Sequence, residues 1–453
     1  MAEFTVSQVL EATGGALAGA AHRSTFNGVS TDTRTIKRGN LFVALKGENF
    51  DGHDFLLRAV DNGAAGVVVS SREAYVPEKT TAVLVVDTLA ALQDLARYHR
   101  RRFTLPVIGI TGSNGKTTTK DMTAAVLSGR LRVLKTQANY NNDIGLPQTL
   151  LGLAADHQAA VVEMGMRARG EISRLAAIAA PTVAVITNVG ETHVEVLGSV
   201  ENIAAAKSEL VEAIAADGLV ILNADIPLVK AMRAKTAARV VFYGLGPDAD
   251  VRAENIAAGE RDTAFDCVHP GGRLPVTLPA VGKHNIYNAL AAITVGLELG
   301  LSPDEISAGL ATFQASAMRL AIENLGPYTV INDAYNASPL SMQAAIDTLG
   351  MVARGRKVAV LGDMLELGEF AAAAHSRVGE QLADSGVQVV VTVGEAARNI
   401  AAAALEGGVK VAVACDGHDE AAEALRKLIR TGDTVLIKGS RGMKMEKMLT
   451  VFK

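Results

Sequence analysis

One string combines the residue types that hold a polyphosphate: Gly109-Ile-Thr-Gly-Ser-Asn-Gly-Lys-Thr-Thr-Thr119. It follows an apolar run at 105–110 and opens a helical stretch. In that context the backbone amides of Gly112, Ser113, Asn114 and Gly115 and the helix N-terminus face phosphate oxygens, and Lys116 adds a positive charge. Thr117 would place its hydroxyl on Mg²⁺, and Thr118 completes the loop. Such loops usually carry a glycine six residues before the lysine; Ile110 stands there instead, between Gly109 and Gly112. The plainer reading is a glycine-rich turn joining a strand to a helix. The Gly-Lys-Thr string in its strand-turn-helix setting favours a nucleotide. Neither an Asn-Lys-x-Asp guanine reader nor a Leu-Ser-Gly-Gly-Gln transporter signature occurs.

Three further residues extend the chemistry. Glu163 ends an apolar run at 159–162, and His193 follows another at 183–187 by a short loop. Ligands of open parallel sheets sit outside the carboxyl ends of the strands, so both side chains can converge on the phosphate loop. A histidine in such a loop also commonly just satisfies its own backbone. Lys207 falls on a helix expected from an N-cap at Ser199, in the middle of the stripe formed by Val200, Ile203, Leu210, Val211 and Ile214. Two readings remain for it. Either its stem is buried and its amine reaches solvent, or the amine is buried, held neutral, and able to capture CO₂ as an anionic carbamate that ligates metal.

These residues need a scaffold of strands with short turns into helices. The 453 residues correspond to about three domains at ~150 residues each. With 43 glycines, 12 prolines and only 4% aromatics, the composition fits an α/β chain rich in tight turns. We expect units at 1–86, 87–317 and 318–453. The first has apolar runs at 41–45, 66–69 and 82–86, with a helix at 54–62 ending before Gly63. A helix at 88–102 leads into the second, whose strands are expected at 105–110, 132–135, 159–163, 182–187 and 219–222. Short alternating segments at 250–278 suggest an antiparallel excursion before a helix at 285–299. The third unit has runs at 328–331, 357–361, 387–393, 411–414 and 434–437, with alanine-rich helix at 371–374 and 401–404.

Composition also excludes classes. Forty-four basic against 48 acidic residues leave a formal charge of −4, which argues against a nucleic-acid partner despite Arg100-Arg101-Arg102. No apolar stretch reaches the ~20 residues of a spanning helix. The first ten residues do not read as a signal peptide. Cys267 and Cys415 are far apart and outside any metal-ligand spacing, so neither a disulfide framework nor a zinc site is expected, and a reducing cytoplasm suits the chain.

At this point a family resemblance enters. Thr111 to Thr118, Glu163 at its strand end, Asn188-Val-Gly-Glu-Thr-His193 and Ala206-Lys207 resemble the central domain of the Mur ligases, ATP-dependent amide-forming enzymes of peptidoglycan synthesis. Ser30-Thr-Asp-Thr-Arg34, Gly39 to Gly47 and Asp51-Gly-His-Asp54 resemble a UDP-binding N-terminal domain of that family. Asn139-Tyr-Asn-Asn-Asp-Ile-Gly-Leu-Pro147, Glu163-Met-Gly-Met166, Asn332-Asp-Ala-Tyr-Asn-Ala-Ser-Pro339 and Leu361-Gly-Asp-Met-Leu-Glu-Leu-Gly-Glu369 are similar to its branch that adds D-alanyl-D-alanine to UDP-N-acetylmuramoyl-tripeptide.

The resemblance implies a small α/β UDP-binding domain, a central P-loop parallel-sheet ATPase domain and a C-terminal Rossmann-like α/β domain. It implies ATP and two Mg²⁺ ions, the first on Thr117 and Glu163, the second on His193 and a carbamylated Lys207. Lys116 would hold the β- and γ-phosphates. Asn285 and Asn288, in Gly282-Lys-His-Asn-Ile-Tyr-Asn-Ala-Leu-Ala-Ala292, would lie beside adenine unless that string is simply a capped helix. Arg319 would reach the γ-phosphate, although Met318-Arg-Leu320 lacks the family's frequent Gly-Arg, and Asp333 would contact ribose. Thr31, Asp32, Arg34, Lys46 and Gly47 would bind the uridine diphosphate end, and Asn139, Asn141 and Asn142 the muramoyl-diphosphate region. Lys438-Gly-Ser-Arg441 resembles a third-domain motif without a role evident from sequence. A cytoplasmic monomer is expected. Two rivals stand beside this reading. One is the ligase that adds the third amino acid, for which no Asp-Asn-Pro-Arg string is present. The other is a nucleotide-gated regulatory protein with no small-molecule acceptor.

Overall fold

The computed structural model describes residues 2–71, 74 and 76–452. Most of the apolar runs read from the sequence become strands buried on both faces, as parallel strands covered by helices must be, while the edge strands Val133–Lys135 and Val411–Cys415 are half-buried. The strands fall into three sheets, beside which Glu3–Thr5 and Thr25–Asn27 form a separate two-stranded antiparallel one.

The first sheet has the order Ala16–Leu17, Thr81–Leu84, Gly66–Val69, Leu41–Val43, Val29–Ser30. All its pairings are parallel except that of Ala16–Leu17 with Thr81–Leu84. The helix expected at 54–62 is a 3₁₀ turn, Gly52–Phe55, running into Leu56–Asp61. Asp51 starts the turn by accepting from the His53 amide, and Gly63 at φ +106° follows the helix.

The central sheet runs Gly272–Leu278, Thr263–His269, Val251–Ala258, Arg239–Gly244, Leu219–Asn223, Val183–Ile186, Val107–Thr111, Ala159–Glu163, Val133–Lys135. Pairing is parallel from Val133–Lys135 as far as Val251–Ala258, and the last two strands form the expected antiparallel excursion. Arg239–Gly244 is a further strand, absent from the sequence expectation although Val240 to Tyr243 form an apolar run.

The third sheet runs Ala321–Leu325, Tyr328–Asp333, Thr434–Lys438, Lys357–Gly362, Val389–Val393, Val411–Cys415. Only its edge hairpin, which turns at Gly326 with φ +61°, is antiparallel.

The units pack against one another. One apolar cluster extends from Phe4 and Phe26 through Leu92, Leu146 and Ile203 to Ile346 and Leu361. The arginine run belongs to this packing. Arg100 is buried and donates to the carbonyls of Ala179 (2.9 Å) and Ala180 (3.2 Å), which satisfies the end of helix Glu171–Ala179. The Arg102 guanidinium lies 4.9 Å from the ring centres of both Phe4 and Tyr98. Both cysteines are buried free thiols, and burial pushes Cys267 up to about 12.

Candidate active site

The phosphate loop begins where strand Val107–Thr111 ends, and helix Lys116–Ser128 leaves it. Ile110 is wholly buried in the strand, so the loop proper starts after it, and the missing glycine is a consequence of that shorter turn. Gly112 (φ +154°) and Gly115 (φ +78°) take backbone conformations that disfavour side chains. A Cβ on Gly112 would overlap Thr187 Oγ1, and one on Gly115 would stand 2.5 Å from Asn288 Oδ1. The loop is cross-braced to the next strand end. Ser113 and Asn114 amides donate to the Asn188 carbonyl (3.0 Å) and Oδ1 (2.8 Å), so these two are turned to Asn188 and not to phosphate as expected, and Thr187 Oγ1 donates to the Asn114 carbonyl (2.7 Å). Lys116 Nζ folds back to donate to the carbonyls of Gly112 (2.8 Å) and Ser113 (3.1 Å). Burial pulls its amine below the usual lysine range, opposed by the charge of Glu163.

Glu163 is buried at the end of its strand, where Thr117 Oγ1 donates to it at 2.8 Å and Asn141 Nδ2 at 2.7 Å. His193 sits in the left-handed region, φ +57°, and its Nδ1 lies 2.5 Å from Glu366 Oε2 of the third unit. Burial lowers the His193 pKa, Glu366 opposes the shift, and Lys116 and Lys207 reinforce it. Helix Val200–Glu212 starts at Ser199, whose side chain accepts from the Asn202 amide. Lys207 on this helix is 2% exposed and lines the cavity, so its amine faces that cavity and does not reach the outer surface. Its Nζ has no hydrogen-bond or ion-pair partner among the described residues, and burial holds its pKa well below the usual range, helped by Lys116.

These residues fit divalent cations in part as they stand. The Thr117 hydroxyl and Glu163 carboxylate are hard oxygen donors of the kind Mg²⁺ takes. No three His, Cys, Asp or Glu side chains group as a metal site among the described residues, so phosphate oxygens would have to complete the shell. Imidazole and ammonium are not a Mg²⁺ pair. His193 and Lys207 fit only if the orphaned amine becomes an anion, which a carbamate provides.

Asn285 and Asn288 are buried at the start of helix Lys283–Glu298 and do not cap it; Gly282 holds the cap position. Asn285 donates to the Val281 carbonyl (2.8 Å), and Asn288 Oδ1 accepts from Thr119 Oγ1 (3.1 Å). Arg319 stacks on Tyr335, 3.9 Å from the ring centre. Its neighbours Met318 (φ +60°) and Leu320 (φ +52°) occupy the left-handed region that glycine would enter without strain. Asp333 is buried, ion-paired with Lys438, and accepts from the Leu320 amide at 3.1 Å. Burial raises its pKa against the pull of Lys438. Lys438 also donates to the Asn336 carbonyl at 2.8 Å, so the Lys438-Gly-Ser-Arg441 string braces the loop after Asp333.

One cavity of about 1070 Å³ gathers the phosphate loop, Glu163, His193, Lys207, Asn285, Asn288, Arg319 and Asp333, together with Asn139, Asn141 and Asn142. Thr31, Asp32, Arg34, Lys46 and Gly47 do not line it. Asp32 and Arg34 form an exposed ion pair at 2.7 Å, with Arg34 holding the carboxyl below its usual range. Lys46 stands 3.8 Å from Asp51, and Thr31 accepts from Gln148 of the central unit at 2.5 Å. The sequence reading missed Tyr335, Glu366 and the bracing by Lys438; all three lie inside strings already noted, yet their roles depend on contacts between distant segments.

Three family models match the chain: the Mur ligase family catalytic domain at residues 25–100, the Mur ligase middle domain at 110–296, and the Mur ligase glutamate ligase domain at 318–441. The chain belongs to the Mur ligase family. This Mur ligase is 41% identical over 453 residues to the UDP-N-acetylmuramoyl-tripeptide–D-alanyl-D-alanine ligase of Bacillus subtilis, covering 99% of this chain and 98% of the relative. It is 37% identical to the enzyme of that name in Escherichia coli, with 99% and 98% covered. Among solved structures, MurF from Acinetobacter baumannii superposes with a TM-score of 0.92 at 35% identity, over 100% of this chain and 99% of that one. MurF from Thermotoga maritima in complex with ADP gives 0.84 at 29% identity, over 94% and 97%.

Proposed function

We propose that this Mur ligase joins D-alanyl-D-alanine to the terminal carboxylate of UDP-N-acetylmuramoyl-tripeptide, converting ATP to ADP and phosphate. The observation that carries the reading is the single cavity in which a phosphate loop, a carboxylate–hydroxyl pair and a buried unpartnered lysine face residues of the third unit. Its three domains are 1–86 for the UDP end, 87–317 for ATP and 318–453 for the incoming dipeptide.

An amide does not form from a carboxylate and an amine unaided, because the carboxylate is a poor electrophile. The peptide carboxylate oxygen attacks the γ-phosphorus, the bond to the β-γ bridging oxygen breaks, and ADP leaves. The dipeptide amine then attacks the acyl carbon, loses a proton, and expels phosphate with the oxygen that came from the carboxylate. Lys116 and Arg319 bring positive charge to the meeting of two anions. The loop amides beyond Asn114 orient the phosphates, Asn285 and Asn288 lie at adenine, and Asp333 at ribose. Mg²⁺, held by Thr117 and Glu163 and by His193 with carbamylated Lys207, supplies further charge neutralisation when bound. The Lys207 carbamate forms when the neutral amine attacks CO₂ and loses a proton. Enclosure between domains keeps water from the acyl phosphate. Thr31, Asp32, Arg34, Lys46 and Gly47 bind the uridine diphosphate end, and Asn139, Asn142 and Asn141 the muramoyl-diphosphate region. No helix among the described residues is long and apolar enough to cross a membrane. A monomer working in the cytoplasm is the reading we favour.

ADP release tests the proposal. With ATP, D-alanyl-D-alanine and UDP-tripeptides carrying either lysine or meso-diaminopimelate, sustained ADP release is expected only when the dipeptide and an accepted tripeptide are both present. ADP release that ignores both would favour the nucleotide-gated regulator and overturn the ligase.

A further inference from the structure

Glu366 belongs to the third unit but touches a residue of the central one. The loop that carries it is held on its own side by two bonds. The Met364 amide donates to His375 Nε2 at 2.9 Å, which leaves His375 Nδ1–H to donate to the Ala371 carbonyl at 2.7 Å. The Leu365 amide donates to Ser440 Oγ at 2.9 Å. The next residue, Glu366, takes φ +64° and reaches Nδ1 of His193, itself at φ +57°. Two non-glycine residues in a costly backbone region meet at one contact, which holds only where surrounding structure enforces it. The surroundings here are complementary: Arg377 pairs with Glu191 at 2.8 Å, and Leu340 fills the space that a side chain on Gly190 would need.

We propose that Glu366 is a positioning residue that makes the ligating competence of His193 depend on the placement of the third domain. The contact is a 2.5 Å approach without hydrogen-bond alignment; a carboxylate this close to Nδ1 favours the tautomer with its proton there by charge and leaves the Nε2 lone pair free for the cavity. Because the carboxylate arrives on another domain, His193 is fixed only when that domain is docked. The inference rests on the reading of His193 as a metal ligand.

Manganese binding separates the two ideas without turnover. Mn²⁺ is titrated into the full-length protein with β,γ-methylene-ATP, and free Mn²⁺ is read by electron paramagnetic resonance. His193→Ala should weaken the second Mn²⁺. Glu366→Ala should weaken it by about 10-fold, the lower end for loss of a ligand's orienting partner. Glu366→Gln, which keeps an accepting oxygen, should stay within about threefold of wild type. On the His193→Ala background, Glu366→Ala should add nothing. If His193→Ala binds Mn²⁺ as wild type does, the ligand reading falls and this inference with it. If His193→Ala weakens binding and Glu366→Ala does not, or Glu366→Ala costs the same without His193, the inference alone is overturned.

Discussion

Lys116→Ala is expected to reduce ADP formation with all substrates present by about a thousandfold, in the range for deleting a preorganised charge from a transition state. The argument rests on what the amine can reach. Among the described residues its Nζ bonds only the Gly112 and Ser113 carbonyls, so it holds positive charge over the loop where the phosphates would lie. The side chain is half-buried at the cavity wall and desolvation lowers its pKa, so its field is less screened than that of a lysine on the open surface. The loop amides and the Asn188 brace survive the substitution, so nucleotide affinity should fall far less than turnover. Steady-state kinetics beside ADP titration checks this. Turnover within tenfold of wild type would refute the role given to Lys116.

Lys207→Met is expected to lower turnover by at least about 100-fold while leaving the protein as stable as before or more stable. The signs oppose each other for a physical reason. A lysine 2% exposed whose amine has no partner among the described residues is costly to bury, and Met fills a similar volume without a polar group. The helix keeps its Ser199 cap and its neighbours Ile203 and Leu210 in the core. If Lys207 were only a filler of the apolar stripe, Met would restore everything, including turnover. If its ammonium were structural, stability would drop. Only a lysine retained for chemistry gives lost turnover with stability kept. Denaturant unfolding measured beside the ADP assay reads both.

The fold was most legible where burial is complete. Ala159–Glu163 and Gly66–Val69 appear as expected because both faces of each are covered, so every residue is apolar save the terminal Glu163. Ala321–Leu325 was not legible, since an edge strand half open to solvent has no such signature. The phosphate loop could be read because its demands are local: glycines for the turn, then lysine and threonine at the helix start. Arg319 was harder. The glycine that usually marks such a turn is absent, and Met318 and Leu320 adopt the left-handed conformation without it. The periodicity that centred Lys207 on an apolar stripe left open where the amine goes; only packing buried it. Glu366 and Lys438 stood in noticed strings, but their partners, His193 and Asp333, lie 173 and 105 positions away in the sequence, which no local pattern reveals.

The central claim is that the peptide carboxylate is activated by phosphoryl transfer before the amine attacks. Oxygen tracing tests it most directly. UDP-tripeptide labelled with ¹⁸O in its terminal carboxylate is turned over with ATP and D-alanyl-D-alanine, and the inorganic phosphate is analysed by mass spectrometry. Attack on the γ-phosphorus followed by cleavage at the acyl carbon must carry one labelled oxygen into each phosphate released. Phosphate free of label, formed while the amide product accumulates, would contradict the account.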